Sequence, residues 1–317
     1  MESLTPWIIL IAYALALLLI DFFMFQKKDK QISMKKAIFE TIFFMTNGLL
    51  FSILVYWFYS SDIVQNANNL SPTKAVFNYL TGYMVELSLS VDNLFVIAAI
   101  FASFKIPNKY QHKLLFLGIL GAIVFRGVLI SVGLALINNI HGMSIVFGLF
   151  LLFTAIKMLK NDVEHKEPDK PKGIAKFLRL SKELDGDKFI TKVDGKRVFT
   201  ALFGALVTIE FTDLLFALDS IPAILSITTD TFIVYSSNIF AIMGLRSLYF
   251  FLANMLEKFA YLKYSVFSIL IFVSIKLITA EYFELPEWFS LAFIGLSLAV
   301  GIYISMLNIK SNPGKNA

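Results

Sequence analysis

Apolar residues in this chain come in long, nearly unbroken runs separated by short polar joints. The runs are Pro6–Gln26, Ala37–Tyr59, Val76–Phe104, Leu114–Ile137, Gly142–Lys160, Val198–Ile227, Phe232–Leu256, Tyr264–Phe283 and Trp288–Asn308. A helix that crosses a bilayer needs about 20 predominantly apolar residues, so each run predicts a spanning helix. Barrel strands alternate apolar and polar residues and would leave mean hydropathy low. The pattern therefore predicts an all-α polytopic membrane protein with about nine transmembrane helices. The third and sixth runs are long enough to hold a break as well as a span. Pro222 supplies a cause in the sixth, because it cannot donate to the Leu218 carbonyl and its ring clashes there. Local unwinding would also let Glu86 and Asp92, six residues apart in the third run, approach each other.

The joints carry the orientation. Lys27, Lys28, Lys30, Lys35 and Lys36 follow the first run, and Lys105, Lys109 and Lys113 follow the third. Lys258 and Lys263 follow the seventh, and Lys310 and Lys315 the ninth. The intervening joints hold only Lys74. Lysine and arginine concentrate on the cytoplasmic side, so the expected product is an inner-membrane protein with its N-terminus outside and its C-terminus cytoplasmic. Glu2 stands where a signal peptide carries positive charge, and the first run exceeds an h-region of about 7–15 residues; it is expected to stay as a helix.

One segment departs from the rhythm. Residues 161–197 hold ten basic and eight acidic residues with Pro168 and Pro171, and the orientation puts them in the cytoplasm. Phe189, Thr191 and Val193 alternate ahead of Asp194-Gly195, a hairpin signal. The expected role is a solvated linker; protein partners there are open.

Composition agrees with the runs: 57% of the 317 residues are hydrophobic and 16% charged, which excludes an ordinary soluble enzyme. There is no cysteine, so disulfides, thiolate nucleophiles and cysteine-held metals are excluded. The net charge of +5 is a topology signal, and no nucleic acid is expected as a partner.

The runs also repeat. Glu86-Leu-Ser-Leu-Ser-Val-Asp92-Asn93 aligns with Asp213-Leu-Leu-Phe-Ala-Leu-Asp219-Ser220. The next run of each unit carries one arginine, Arg126 or Arg246, and the one after carries Ile-Lys, at Ile156-Lys157 or Ile275-Lys276. Two units, 76–160 and 198–283, thus repeat the same order, and an odd number of spans turns the second upside down. Residues 1–75 would add two helices, and 284–317 a last helix and tail. Inverted repeats are characteristic of secondary transporters, whose site lies between the repeats.

Glu86, Asp92, Glu210, Asp213 and Asp219 lie inside apolar runs. At about 2.5–3.5 kcal/mol each, five unpaired acids would cost roughly 12–18 kcal/mol. Such groups persist where they pair or line an ion path. Arg126 and Arg246 balance two of them, and the excess suits a divalent cation or protonated carboxyls. Ser88, Ser90, Asn93, Thr212 and Ser220 add neutral oxygens. An all-oxygen set suits Mg²⁺, Ca²⁺ or Mn²⁺, whereas zinc and copper recruit His or Cys. Other readings of the same acids are a metal-free proton relay and ion pairs with Arg126, Arg246 and Lys276 that only hold the bundle. Asp21 reads as interfacial, and Lys157 as a snorkelling side chain.

At these residues the chain resembles the TerC family of integral membrane proteins, associated with tellurite resistance and manganese efflux. The run Glu86 to Val96 resembles the family's first motif, and Glu210-Phe-Thr-Asp213 through Asp219-Ser220-Ile-Pro222-Ala223 its second. Tyr110-Gln-His-Lys113, Gly118-Ile-Leu-Gly121 and Gly244-Leu-Arg246-Ser-Leu-Tyr249 add support. The resemblance implies a metal-ion exporter rather than an enzyme, with Mn²⁺ as cargo and no organic cofactor. It implies Glu86, Asp92, Asn93, Glu210, Asp213 and Asp219 as ion ligands. Leu87 departs from the basic residue common after the first motif's glutamate, which makes the site more acidic. Tellurite itself does not follow, since carboxylates repel an anion. A proton is a candidate counter-ion, because carboxylates titrate when metal leaves. The rival reading is a membrane scaffold that assists insertion or metallation of other proteins, with structural acids.

Overall fold

The computed structural model describes residues 4–25, 34–66, 68–161, 185–193, 196–253, 262–279 and 286–311. Among the described residues the helices are α1 (Thr5–Ile20), α2 (Met34–Ser60), α3 (Pro72–Ser103), α4 (Asn108–Asn139) and α5 (Met143–Asn161). After a short hairpin come α6 (Ala201–Leu225), α7 (Thr231–Ala253), α8 (Leu262–Thr279) and α9 (Glu287–Ser311). Each apolar run overlaps one of them, although the first two residues of the sixth, Val198 and Phe199, belong to the hairpin and not to the helix. Six stretches, on α1, α2, α4, α6, α7 and α9, are long and apolar enough to cross a membrane. Shorter apolar stretches lie on α5 and α8. α3, interrupted by Asn78, Glu86, Asp92 and Asn93, is in neither group.

Helix ends follow local chemistry. Ser71 Oγ accepts the Lys74 N–H ahead of Pro72, so a capping hydroxyl and a proline open α3 together. Lys105, at φ 52°, turns the chain left-handed after α3 while the Ile106 N–H closes on the Phe101 carbonyl at 2.9 Å. Pro107 then separates α3 from α4. Asp230 Oδ1 accepts the Ile233 N–H at 3.1 Å and caps α7.

The expected breaks are absent. α3 and α6 are continuous helices, and Pro222 sits inside α6 within its last turn. So near the end, the missing donor costs one intrahelical bond and leaves the preceding turns intact. Continuous α3 keeps Glu86 and Asp92 about 120° apart around its axis, so they do not converge by unwinding.

The outer face of the molecule is largely apolar, and charged and polar groups are buried within its apolar core. Val124, Val128 and Phe153 are more than half exposed, whereas Glu86, Arg126, Ser220 and Asn238 are at most 3% exposed. A soluble protein shows the opposite. α3 is central, packed on α2, α6, α7 and α9. α3 also packs on α7 as α4 packs on α6, and α5 packs on α8. Gly148 allows the last contact: a Cβ there would lie 2.7 Å from Ile278 Cγ1 and 3.0 Å from the Ser274 carbonyl.

The hairpin read from the sequence is present. β1 (Ile190–Val193) pairs antiparallel with β2 (Lys196–Phe199), with Val193 opposite Lys196. It is anchored at the start of α4, where Lys113 Nζ donates to the Asp187 carbonyl at 2.8 Å and lies 5.0 Å from the Phe189 ring centre. The remainder of the charged segment, 162–184 together with 194–195, lies outside the described residues.

Candidate cation site

α3, α4, α6 and α7 meet around Arg126, whose side chain is buried. Its guanidinium forks onto Asp213 of α6, Nη2 to Oδ1 at 3.2 Å and Nε to Oδ2 at 3.4 Å. Nη1 donates to Glu86 Oε1 of α3 in a close ion pair and reaches Ser220 Oγ at 3.3 Å. A planar fork suits this task, because guanidinium and carboxylate match in two parallel bonds. One arginine thus joins Glu86 to Asp213, the two acids that align in the sequence repeat.

Glu86 has further donors. Ser90 Oγ, one turn along α3, donates to Oε1 at 2.8 Å, and Asn238 Nδ2 of α7 donates to Oε2 at 3.1 Å. Ser90 and Ser220 are therefore turned to the site. Ser88 and Thr212 instead donate back to Met84 and Thr208 of their own helices, which satisfies a hydroxyl without water.

Glu210, one turn before Asp213, lies against the glycine face of α4. A Cβ at Gly121 would collide with its carboxylate, and one at Gly118 would stand 4.0 Å from Oε1. The glycines make room for the acid. Among the described residues Glu210 Oε2 is nevertheless buried without a hydrogen-bond partner.

A cavity of about 60 Å³ adjoins this cluster, with Ser90, Asn93, Arg126 and Asp213 on its wall and apolar residues around them. It has space for about four to six water-sized particles at about 10–15 Å³ each. Its wall includes Ile97 toward the end of α3 and Leu115 near the start of α4, so it extends from Arg126 toward the lysine-rich joints. On the opposite side Ile130, Leu134, Ile221, Ile224, Leu225 and Val234 pack into a closed apolar cluster.

The expected ligand set is thus gathered in part. Glu86 and Asp213 converge, Glu210 stands one turn away, and Asn93 is on the cavity wall. Asp92 and Asp219 lie on α3 and α6 and Arg246 on α7, but their side chains lie outside the described residues. Among the described residues no three acidic or imidazole groups form a ready cation cage; Arg126 stands between the two acids instead. The donors that do meet are carboxylate, amide and hydroxyl oxygens, the chemistry of a hard cation.

Two features escaped the sequence reading. Asn238 is a direct partner of Glu86, signalled only by the polar triplet Ser236-Ser237-Asn238 inside an apolar run. Glu40 lies inside the second run and is buried, 3.6 Å from Lys36 Nζ and 3.9 Å from His112 Nε2. Asp21, expected at the interface, is also buried. It opens a short π-helical segment, Asp21–Phe25, that continues α1 and in which Phe22 packs on Phe116 of α4.

Fold and site together define an all-α polytopic membrane protein with a charged cluster buried between its helices. Residues 70–313 match the profile of the integral membrane protein TerC family, and the chain belongs to that family. An "Uncharacterized membrane protein" of Rickettsia bellii (strain RML369-C) is 40% identical over 95% of this chain and 97% of its own length. One of the same description from Myxococcus xanthus is 36% identical over 98% and 95%. The Escherichia coli (strain K12) protein called "Putative membrane-bound redox modulator Alx" is 38% identical over 83% and 82%. No solved structure matches the chain.

Proposed function

We propose that this protein exports a hard divalent cation, with Mn²⁺ the leading candidate, through the carboxylate site around Arg126. The observation that carries this reading is one buried arginine joining Glu86 and Asp213 from separate halves of the chain. Two carboxylates against one guanidinium leave a formal negative excess, and Glu210 adds a third carboxyl nearby. Asp213, about a quarter exposed, is the first acid a cation in the cavity would meet. Arrival there weakens the hold of Arg126, which is then free to release Glu86. In the proposed topology the lysine-rich joints are cytoplasmic, so the cavity opens toward the loading side while the apolar cluster closes the other.

Alternating access between inverted repeats accompanies this reading. Exchanging α3–α5 with α6–α8 maps the α3–α7 contact onto α4–α6 and leaves the α5–α8 contact in place. That reciprocity supports two related units. Asp92, Asp219 and Asn93 complete the proposed ligand set, Arg246 balances charge, and a proton is the proposed counter-ion. A redox role, as in the name of the Escherichia coli relative, would have to run here without thiols, since the chain has no cysteine.

The test is Mn²⁺ accumulation in cells expressing wild type, Glu86→Gln, Asp213→Asn, Asp92→Asn or Asp219→Asn. Wild type is expected to lower cellular Mn²⁺ and the substitutions to abolish that effect. Unchanged export in all four variants overturns the site.

A further inference from the structure

Asn238 has a peculiarity that holding Glu86 does not explain. Its side chain is 1% exposed and its Nδ2 donates to Glu86 Oε2, yet its Oδ1 is buried with no hydrogen-bond partner among the described residues. The amide cannot be turned over to relieve this, because its oxygen would then face a carboxylate oxygen. A buried amide acceptor left unpaired is costly and uncommon. Here it lies beside an anion, where a positive ion is the fitting partner. Its position is apt as well. Asn238, Ile242 and Leu245 share one face of α7, and the latter two line the cavity. Asn238 therefore stands one turn beyond the cavity wall, where α7 meets Glu86.

Resting on the cation-transport reading, we propose that Asn238 is itself a ligand of the cargo, a neutral amide oxygen supplied by the second half of the chain. Its N–H keeps Glu86 oriented while its Oδ1 takes the ion as Arg126 leaves. Amide oxygens are regular ligands of hard divalent cations. A neutral ligand also raises coordination number without adding another charge to be buried.

Mn²⁺ binding to the purified full-length protein, by titration calorimetry, separates this role from simple orientation of Glu86. Asn238→Ala removes both donor and oxygen, and weakens Mn²⁺ binding by about tenfold or more. Asn238→Asp loses the donor but keeps an oxygen in the same place, so it binds Mn²⁺ within roughly threefold of wild type or more tightly. If Asn238 only orients Glu86, both variants lose the donor and weaken alike, which overturns the proposal. Should Asn238→Ala fail to fold, the isosteric Asn238→Asp decides alone. Tenfold weakening there counts against the ligand, and near-wild-type binding supports it. A wild type that binds no Mn²⁺ overturns the cation reading along with it. Wild-type binding that is lost in Glu86→Gln but unchanged in Asn238→Ala overturns this ligand only.

Discussion

Arg126 is held by what it neutralises. Removing one partner of a buried ion pair leaves an uncompensated charge and typically costs about 3–5 kcal/mol, more than the net worth of the pair. Arg126→Gln is therefore expected to lower the melting temperature of the detergent-purified protein sharply. Adding Glu86→Gln to it should recover part of the loss, because the second substitution removes the stranded carboxylate. A double variant less stable than Arg126→Gln alone would contradict that account. The two glycines facing Glu210 act at the same scale. Gly121→Ala drives a methyl group into the Glu210 carboxylate and is expected to cost about 1–3 kcal/mol. It should also impair export. Gly295→Ala, which meets nothing within 4 Å, is the control and should do neither.

At the level of elements, the joint between α6 and α7 shows how one carboxylate ties three segments together. Asp230 caps α7, takes a 2.6 Å hydrogen bond from the Tyr59 hydroxyl at the end of α2, and donates its own backbone N–H to Thr228 Oγ1. Burial raises its pKa above the ordinary value, and the Tyr59 and backbone donors offset this only in part. For an acid with a raised folded value, the stabilising contribution is complete below the unfolded value of about 3.9. It is lost as pH rises through the folded value. Asp230→Asn keeps an acceptor for both bonds and carries no charge. The variant should melt close to wild type near pH 4 and above it at pH 7.5. A gap that shrinks with rising pH would sink the assignment.

At the level of the molecule, orientation is open to direct test because the chain has no cysteine to remove. With the lysine-rich joints inside, a membrane-impermeant maleimide should label Ser61→Cys in intact cells. It should label Lys109→Cys only after permeabilisation. The reverse pattern would invert the proposed topology and with it the direction in which the cavity opens. Both positions are exposed.

The helices were legible along the chain because insertion into lipid is a local criterion: about 20 apolar residues suffice wherever they occur. The same economy made the acids conspicuous, since each is an expensive exception within an apolar run. The hairpin before β2 was readable from two-residue alternation and an Asp-Gly pair. Three things were not legible. Pro222 suggested a break, but its cost depends on how many helical turns follow it, and almost none do. Asn238 gave little local signal, because a neutral amide in a helix is ordinary until its neighbour is known. The convergence of Glu86 and Asp213 on Arg126, with Glu210 against glycines, depends on α4 packing with α6 and α3 with α7. The contacts that build the site join residues 40 to 152 positions apart. The hydropathy pattern decides that the chain is a membrane bundle and which groups are costly there. Which of those groups share a site is settled by side-chain packing between distant helices, and no local pattern encodes that.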